Sequence, residues 1–516
     1  MPKQQTDHLV QLINSLSKAE KRNFKLFVGR NQAAADAKFI QLFNVMDKMK
    51  EYDEQHILKT VPGIKKSQLS NIKANLYKQL LLSLRLNHRH KNDDIEIREK
   101  IDYARILYNK GLYKQSLELL DNVKEMAKSR RFNLLTLEII EFEKQIELQY
   151  ITRSIATRSK ELSIESASYG KMINSANRFS NLALRLYDLY LKTGHARNEK
   201  DYYYVKDFFI SNLPEHDTGQ LSFYEKLYLY MAQVWYNYII QDFLKCYKYA
   251  EKWVSLIESD PAMKEKEVVL YLKGIHNLLS ALYNIAHYSK FVEILGKLKA
   301  LELEREGELD KNIENLLFLY RFTHEIDRHF LEGTFTEGLR LIPDLLDKLE
   351  SKEKDFDQHR IIIFYYRAAC LYFGAGDNQR AIYFLNKIIN LKESNIREDI
   401  QCFSRILNLI AHYELGNQEL VEYQIKSVYR FLVKMKDLQA VQSEILRFLR
   451  KVPKIFPSEL RKEFIKLKGK LKVLSEDEYE KRPFVYLDIV SWLESKINNR
   501  PVEEIIRNKY LTSKRR

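Results

Sequence analysis

One short turn recurs along this chain at nearly constant spacing, and it constrains the fold more than any other feature. Its clearest copy is Tyr372-Phe-Gly-Ala-Gly376-Asp-Asn-Gln-Arg-Ala381-Ile-Tyr-Phe-Leu385-Asn-Lys-Ile388. An earlier stretch, Gly111-Leu-Tyr113-Lys-Gln-Ser116-Leu-Glu-Leu-Leu120, has the same grammar. A flexible residue closes one helix, an aromatic or polar residue opens the next, and a small residue follows three positions on. Apolar residues then recur every three or four positions, as a buried helical face requires. Weaker copies sit at Gln241-Asp-Phe243 with Cys246, Ala286-His-Tyr288, Gly333-Thr-Phe335 with Gly338, and Gly416-Asn-Gln418, with a faint one at Thr193-Gly194. From Gly194 the turns fall at 241, 286, 333, 376 and 416, in steps of 47, 45, 47, 43 and 40 residues. The 83 residues from Gly111 to Gly194 imply one more turn, without glycine, near Thr152.

Self-similarity at such a period marks stacked helical hairpins. The scarcity of Gly (15) and Pro (9) in 516 residues points the same way, because sheets and their turns consume more of both. The longest uncharged run, Leu227 to Gln241, is shorter than the ~18 to 20 apolar residues a membrane span needs, and it carries Gln233, Asn237 and four tyrosines. No signal-peptide core precedes Lys18, so no membrane role is expected. Cys246, Cys370 and Cys402 lie far apart without a CxxC pair, and read as small buried side chains in a reducing cytoplasm.

Over roughly residues 95–435 the chain resembles a tetratricopeptide-repeat protein. Ser116, Cys246, Gly338 and Ala381 match that family's small, close-packing position, and Tyr113, Phe243, Tyr288 and Phe335 its turn aromatic. Phe291 and Val421 depart from it, and the step exceeds the family's repeat of about 34 residues. The resemblance implies an α-solenoid with longer helices, whose groove takes a protein or peptide. One variant of the family grips a C-terminal carboxylate with a Lys and an Asn. The corresponding pairs here are Ile101/Arg105, His276/Ser280, Tyr366/Cys370 and Ile406/Ile410, so the sequence argues against a chaperone-tail receptor.

Residues 1–91 and 443–516 stand outside the repeat and are basic. The first segment holds 17 Lys/Arg against 7 Asp/Glu, the last 19 against 11, and residues 92–442 hold 49 against 52. In the first segment Ser17-Lys-Ala-Glu20 is a capping box, Lys38 to Lys50 a second helix, Asp53 the cap of a third that Pro62-Gly63 ends, and Ser67 to Leu86 a longer helix. Lys65, Lys66, Lys73, Arg85 and Arg89 surround that helix, and Lys466, Lys468 and Lys470 crowd the other end. These eight cations are the candidate contacts to nucleic acid or an acidic partner, weighed against helical caps whose outer face is polar anyway. Phe484 to Leu493 reads as a closing helix, Glu476 to Glu480 as an acidic first turn, and Lys514-Arg515-Arg516 as a frayed tail.

Catalytic patterns are missing. His324-Glu325-Ile-Asp-Arg-His329 is one residue too long for a zinc-protease helix, since an i, i+5 pair sits about 140° apart. A solvated or interhelical pair is the plainer reading. His88-Arg-His90 reads as a basic linker, Gly374-Ala-Gly376 as a helix turn, and the 33 tyrosines as core packing. The expectation is an all-α solenoid with an N-terminal bundle (1–91), helical repeats (92–442) and a C-terminal cap (443–516). It acts as a cytoplasmic, non-enzymatic scaffold or adaptor, without cofactor or metal. The alternative is a nucleic-acid or ribonucleoprotein regulator using the basic ends. The structural repeat positions are Gly111, Tyr113, Ser116, Gly333, Phe335, Gly338, Gly376 and Ala381.

Overall fold

A computed structural model describes residues 7–29, 35–49, 51–89, 92–149, 157–304, 310–351, 356–391, 397–435, 437–477, 480–486 and 488–513. These residues form helices and turns with no strand, and the chain divides into two compact units, 1–173 and 174–516. The expected turn near Thr152, the tail at 514–516, His90 and Glu478 lie outside the described residues.

The first unit opens with α1 (His8–Ser15), α2 (Lys18–Gly29), α3 (Ala35–Asp47), α4 (Glu54–Thr60) and α5 (Lys66–His88). The start of α2 is a capping box: Ser17 Oγ accepts from the Glu20 amide at 3.2 Å and Glu20 accepts from the Ser17 amide at 2.8 Å. Asp53 caps α4 through the His56 amide at 3.0 Å. Ile13, Phe24, Phe43, Ile57, Leu76 and Leu80 fill a core belonging to these five helices. Next come α6 (Asp93–Asn109), α7 (Tyr113–Ser129) and α8 (Asn133–Gln149), with a separate core around Ile97, Leu120 and Ile139, and α9 (Arg158–Thr193) runs on into the second unit.

The second unit continues with α10 (Glu199–Asn212), α11 (Phe223–Ile239), α12 (Phe243–Glu258), α13 (Pro261–Lys266), α14 (Val268–Asn284), α15 (Tyr288–Glu304) and α16 (Lys311–Glu332). After these come α17 (Phe335–Gly338), α18 (Ile342–Ser351), α19 (Gln358–Gly374), α20 (Asn378–Ile389), α21 (Glu398–Glu414), α22 (Gln418–Lys434) and α23 (Ala440–Lys451). The last four are α24 (Pro457–Glu476), α25 (Arg482–Tyr486), α26 (Ile489–Asn498) and α27 (Val502–Ser513). One continuous core runs from Phe223 to Leu493. First helices pack on first helices, α14 on α16, α16 on α19 and α19 on α21, while α12 and α20 wedge against the next hairpin.

The turns expected from the sequence share one backbone device. Gly111, Gly194, Gln241, Ala286, Gly333, Gly376 and Gly416 all have left-handed φ between 54° and 87°. At all but Gly194 the following amide donates five residues back, as Thr334 does to the His329 carbonyl at 3.1 Å and Asp377 to Tyr372 at 2.9 Å. This is the Schellman closure. The same residue then starts the next helix. Asp242 and Asp377 accept from the Lys245 and Arg380 amides at 3.1 and 3.0 Å, so a single turn both ends and caps.

Five residues after each such turn the chain is buried, at Ser116, Cys246, Phe291, Gly338, Ala381 and Val421. Ser116 satisfies its hydroxyl on the Ala104 carbonyl at 2.8 Å. At Gly333 a Cβ would overlap the backbone of Arg507, which α27 lays across this turn. Phe335 packs its ring where a Cβ on Gly374 would stand, so the turn aromatic of one hairpin fixes the end of the next one's first helix.

Three readings are corrected. Phe484 to Leu493 is two helices, because Asp488 accepts from the Ser491 amide at 2.9 Å and starts α26 anew. Glu480 does not open its own helix; it accepts from the Ala440 amide at 3.1 Å and caps α23. The second helix begins at Ala35 and ends at Asp47, three residues earlier at each end than the sequence suggested.

Candidate functional site

Several polar side chains of the second unit gather on the facing first helices α14, α16 and α19. Helical spacing puts Lys273, His276 and Ser280 on one face of α14, Tyr320, His324 and Asp327 on one face of α16, and Arg360 and Arg367 on one face of α19. Asp327 and His324 are buried at 1% and 0% exposure. The Arg367 guanidinium pairs with Asp327 and also donates to the Thr323 carbonyl at 3.3 Å. Asp327 in turn lies 3.0 Å from His324 Nδ1, and His324 Nε2 lies 2.8 Å from His276 Nδ1. His276 stacks on Tyr320 at 4.3 Å with 10° between the rings.

The charge states follow from these contacts. Burial pushes the Asp327 carboxyl up, but Arg367 and the His324 hydrogen bond outweigh it and hold it below the usual carboxylate range. Burial lowers His324 despite its acid partner, and lowers His276 well below the usual imidazole range, with His324 and Arg367 adding to the effect. Both imidazoles are therefore neutral near pH 7. An ionised Asp327 can only accept, so His324 carries its proton on Nδ1 and presents a bare Nε2, to which His276 donates from Nδ1. His276 Nε2 is left as an acceptor at the end of the chain.

A second buried pair stands nearby in sequence order. Arg397 grips Asp399 with Nε to Oδ1 at 2.9 Å and Nη2 to Oδ2 at 2.7 Å, and its guanidinium lies 5.4 Å from the Tyr190 ring of α9. His359 is pushed down to about 4, by burial first and then by Arg397, and its Nδ1 is buried without a partner. Burial and Arg360 together lower the Lys273 amine. His276, Tyr283, Arg367 and Cys370 are enclosed enough to shift, yet each keeps some solvent-accessible surface. These partly exposed groups lie along the first helices α14 and α19. In both ion pairs the carboxylate lies behind its cation: Arg367 is 22% exposed against 2% for Asp327, and Arg397 5% against 0% for Asp399.

The segment 194–198 clasps two distant turns. The Ala196 amide donates to the Ile239 carbonyl at 2.8 Å, Arg197 Nη1 to the Met435 carbonyl at 3.3 Å, and Gln439 Nε2 to the Arg197 carbonyl. The groups on α14, α16 and α19 offer hydrogen bonds and positive charge, and two of the nucleophile types among them are not activated. Cys370 is pushed up to about 12 by burial, and Ser280 donates to the His276 carbonyl of its own helix at 2.9 Å. Among the described residues no three His, Cys, Asp or Glu side chains are placed to hold a metal ion.

The sequence had singled out His324 and His329 as a pair. The structure separates them: His324 joins the network, and His329 turns away to Thr334 Oγ1 at 2.8 Å. Both are buried, so the solvated reading fails and the interhelical one applies to His324 alone. Arg367 was missed, although one charge in the run Ile361 to Gly376 was a usable signal.

The eight candidate cations at the two ends are dispersed. Lys66 pairs with Glu54 at 3.4 Å, Arg85 with Asp102 at 3.1 Å and Arg89 with Glu99 at 3.7 Å, while Lys73 binds Asp7 and lies 3.9 Å from the Tyr52 ring. Lys466 pairs with Glu463, Lys468 with Glu494 at 2.7 Å, and Lys470 with Glu444 at 2.8 Å. Lys65 alone of the eight shows no such pair; it precedes α5. Seven of the eight therefore have a carboxylate beside them, while the two segments keep their net excess of Lys and Arg. Among the described residues no helix is long and apolar enough to cross a membrane. No protein-family model matches the chain, and comparison with curated proteins and with solved structures finds no match to it either.

Proposed function

We propose that this chain is a non-catalytic protein-binding module, an α-solenoid of tetratricopeptide-like hairpins that holds an extended partner segment across α14, α16 and α19. The observation that carries the reading is the polar network that joins these three helices. A buried network of charged and titratable groups that crosses three first helices costs desolvation. It leaves tyrosines, a histidine acceptor and forward-facing cations in contact with solvent. Rigid aromatic and cationic side chains are what binding hot spots are made of. The protonated Cys370 thiol and the committed Ser280 hydroxyl support binding over catalysis. The nucleic-acid alternative has less support, since seven of its eight cations already face carboxylates.

The test is affinity capture from native lysate with and without nuclease, using the wild type, Lys273→Glu and Tyr283→Ala. The reading expects specific proteins that survive nuclease and are lost with both variants. Capture that is unchanged by the variants, or that vanishes with nuclease, contradicts it.

A further inference from the structure

A recess lies among the last helices. Between the start of α24, the end of α26 and the start of α27 the surface forms a cleft of about 830 Å³. That is within the size range of small-molecule sites. Arg461, Lys496 and Arg500 line it, and among the described residues no carboxylate does. Asn498, Asn499 and Asn508 add three carboxamides, and Leu460, Phe464, Ile497 and Ile505 make an apolar floor.

The cations differ in how far they are committed. Lys496 is bound to Glu414, which also accepts from the Trp492 indole at 2.7 Å. Arg500 makes only an exposed i, i+4 pair with Glu504 at 3.0 Å, the kind of contact that contributes a few tenths of a kcal/mol. Arg461 uses Nε on the Ile497 carbonyl at 3.0 Å, which fixes the plane of its guanidinium and leaves both terminal nitrogens to face a ligand. A fork held in this way suits the paired oxygens of a phosphate. Phe456, immediately before the cleft-lining Pro457, is 73% exposed. A phenyl ring left in water beside a donor-rich recess is a stacking surface for a planar group. The carboxamides can meet the donor and acceptor edge of the same group.

We propose that this cleft binds a nucleoside phosphate, with the phosphate on Arg461 and Arg500, the base against Phe456 and its edge on the asparagines. Arg461 opens the basic run that stands out in the sequence, and Arg500 lies outside it. Lys466, Lys468 and Lys470 belong to the same helix α24, but they are neutralised by Glu463, Glu494 and Glu444.

The experiment is isothermal titration of the full-length protein with ADP, adenosine, inorganic phosphate and a single-stranded oligonucleotide. ADP is expected to bind at one site, and adenosine and phosphate each more weakly. Arg461→Gln and Arg500→Gln should each weaken ADP by roughly tenfold or more, the loss typical of a hydrogen bond to a charged group. Arg461→Lys should recover part of this, Phe456→Ala should lower affinity for ADP but not for phosphate, and Lys466→Gln should leave it unchanged. Melting curves of the variants report whether the fold is intact; Arg461 holds one carbonyl only, so they should match the wild type. No heat with ADP, equal binding by Arg461→Gln and the wild type, or binding of the oligonucleotide alone overturns the proposal.

Discussion

Replacing Arg367 with methionine removes the cation from a carboxylate that has almost no water to fall back on. Asp327 is 2% exposed at its side chain and Arg367 22%, so the pair is largely shielded from solvent. Breaking a buried pair from one side leaves the remaining charge uncompensated and typically costs about 3 to 5 kcal/mol; with the partly wet arginine the lower figure, about 3 kcal/mol, applies. Trp235, Trp253 and Trp492 all belong to the second unit, so tryptophan fluorescence during urea unfolding reports this unit and not the first. With a urea slope of about 3 kcal/mol/M the midpoint should fall by about 1 M. The double variant Arg367→Met, Asp327→Asn should recover more than half of the loss, because the amide is uncharged and its oxygen can still accept from His324 Nδ1. An Arg367→Met protein within about 0.5 kcal/mol of the wild type would refute the reasoning. So would a double variant no more stable than the single one.

Two further outcomes follow from the same structure. His359 is lowered to about 4 in the fold from an unfolded value of 6.5, so the unfolded chain binds the extra proton and acid favours unfolding. The stability it contributes should be lost as pH falls from about 6.5 to about 4, and the urea midpoint of His359→Gln should change less over that window than the wild type's. Gly333→Ala should cost clearly more than Gly376→Ala in urea unfolding. Both have left-handed φ, worth about 1 kcal/mol against alanine, but only at 333 does a Cβ meet backbone, that of Arg507.

The turns were legible because their physics is local. A left-handed residue, an amide that donates five back and a buried position five on occupy about ten consecutive residues, and Gly376, Asp377 and Ala381 display them openly. Gln241 and Ala286 were found by spacing rather than by type, since neither residue favours left-handed φ. Arg131 closes α7 in the same way and went unread, because it lies outside the period of the other turns. The network on α14, α16 and α19 was not legible. His276, His324 and Arg367 are 48 and 43 residues apart, and only the packing of successive hairpins brings them together. The ion pairing of the two ends was not legible for a related reason. Lys470 looks free in sequence, but its partner Glu444 is 26 residues away on another helix.

The most direct test of the binding account is site-specific photocrosslinking in the native cell. A photoreactive residue is placed at Tyr283, partly exposed on α14, and in a second strain at Tyr423, which is 79% exposed on α22. The account predicts a discrete protein adduct from position 283 that Lys273→Glu abolishes, and none from position 423. Adducts from 423 alone, or an adduct at 283 untouched by Lys273→Glu, would contradict it.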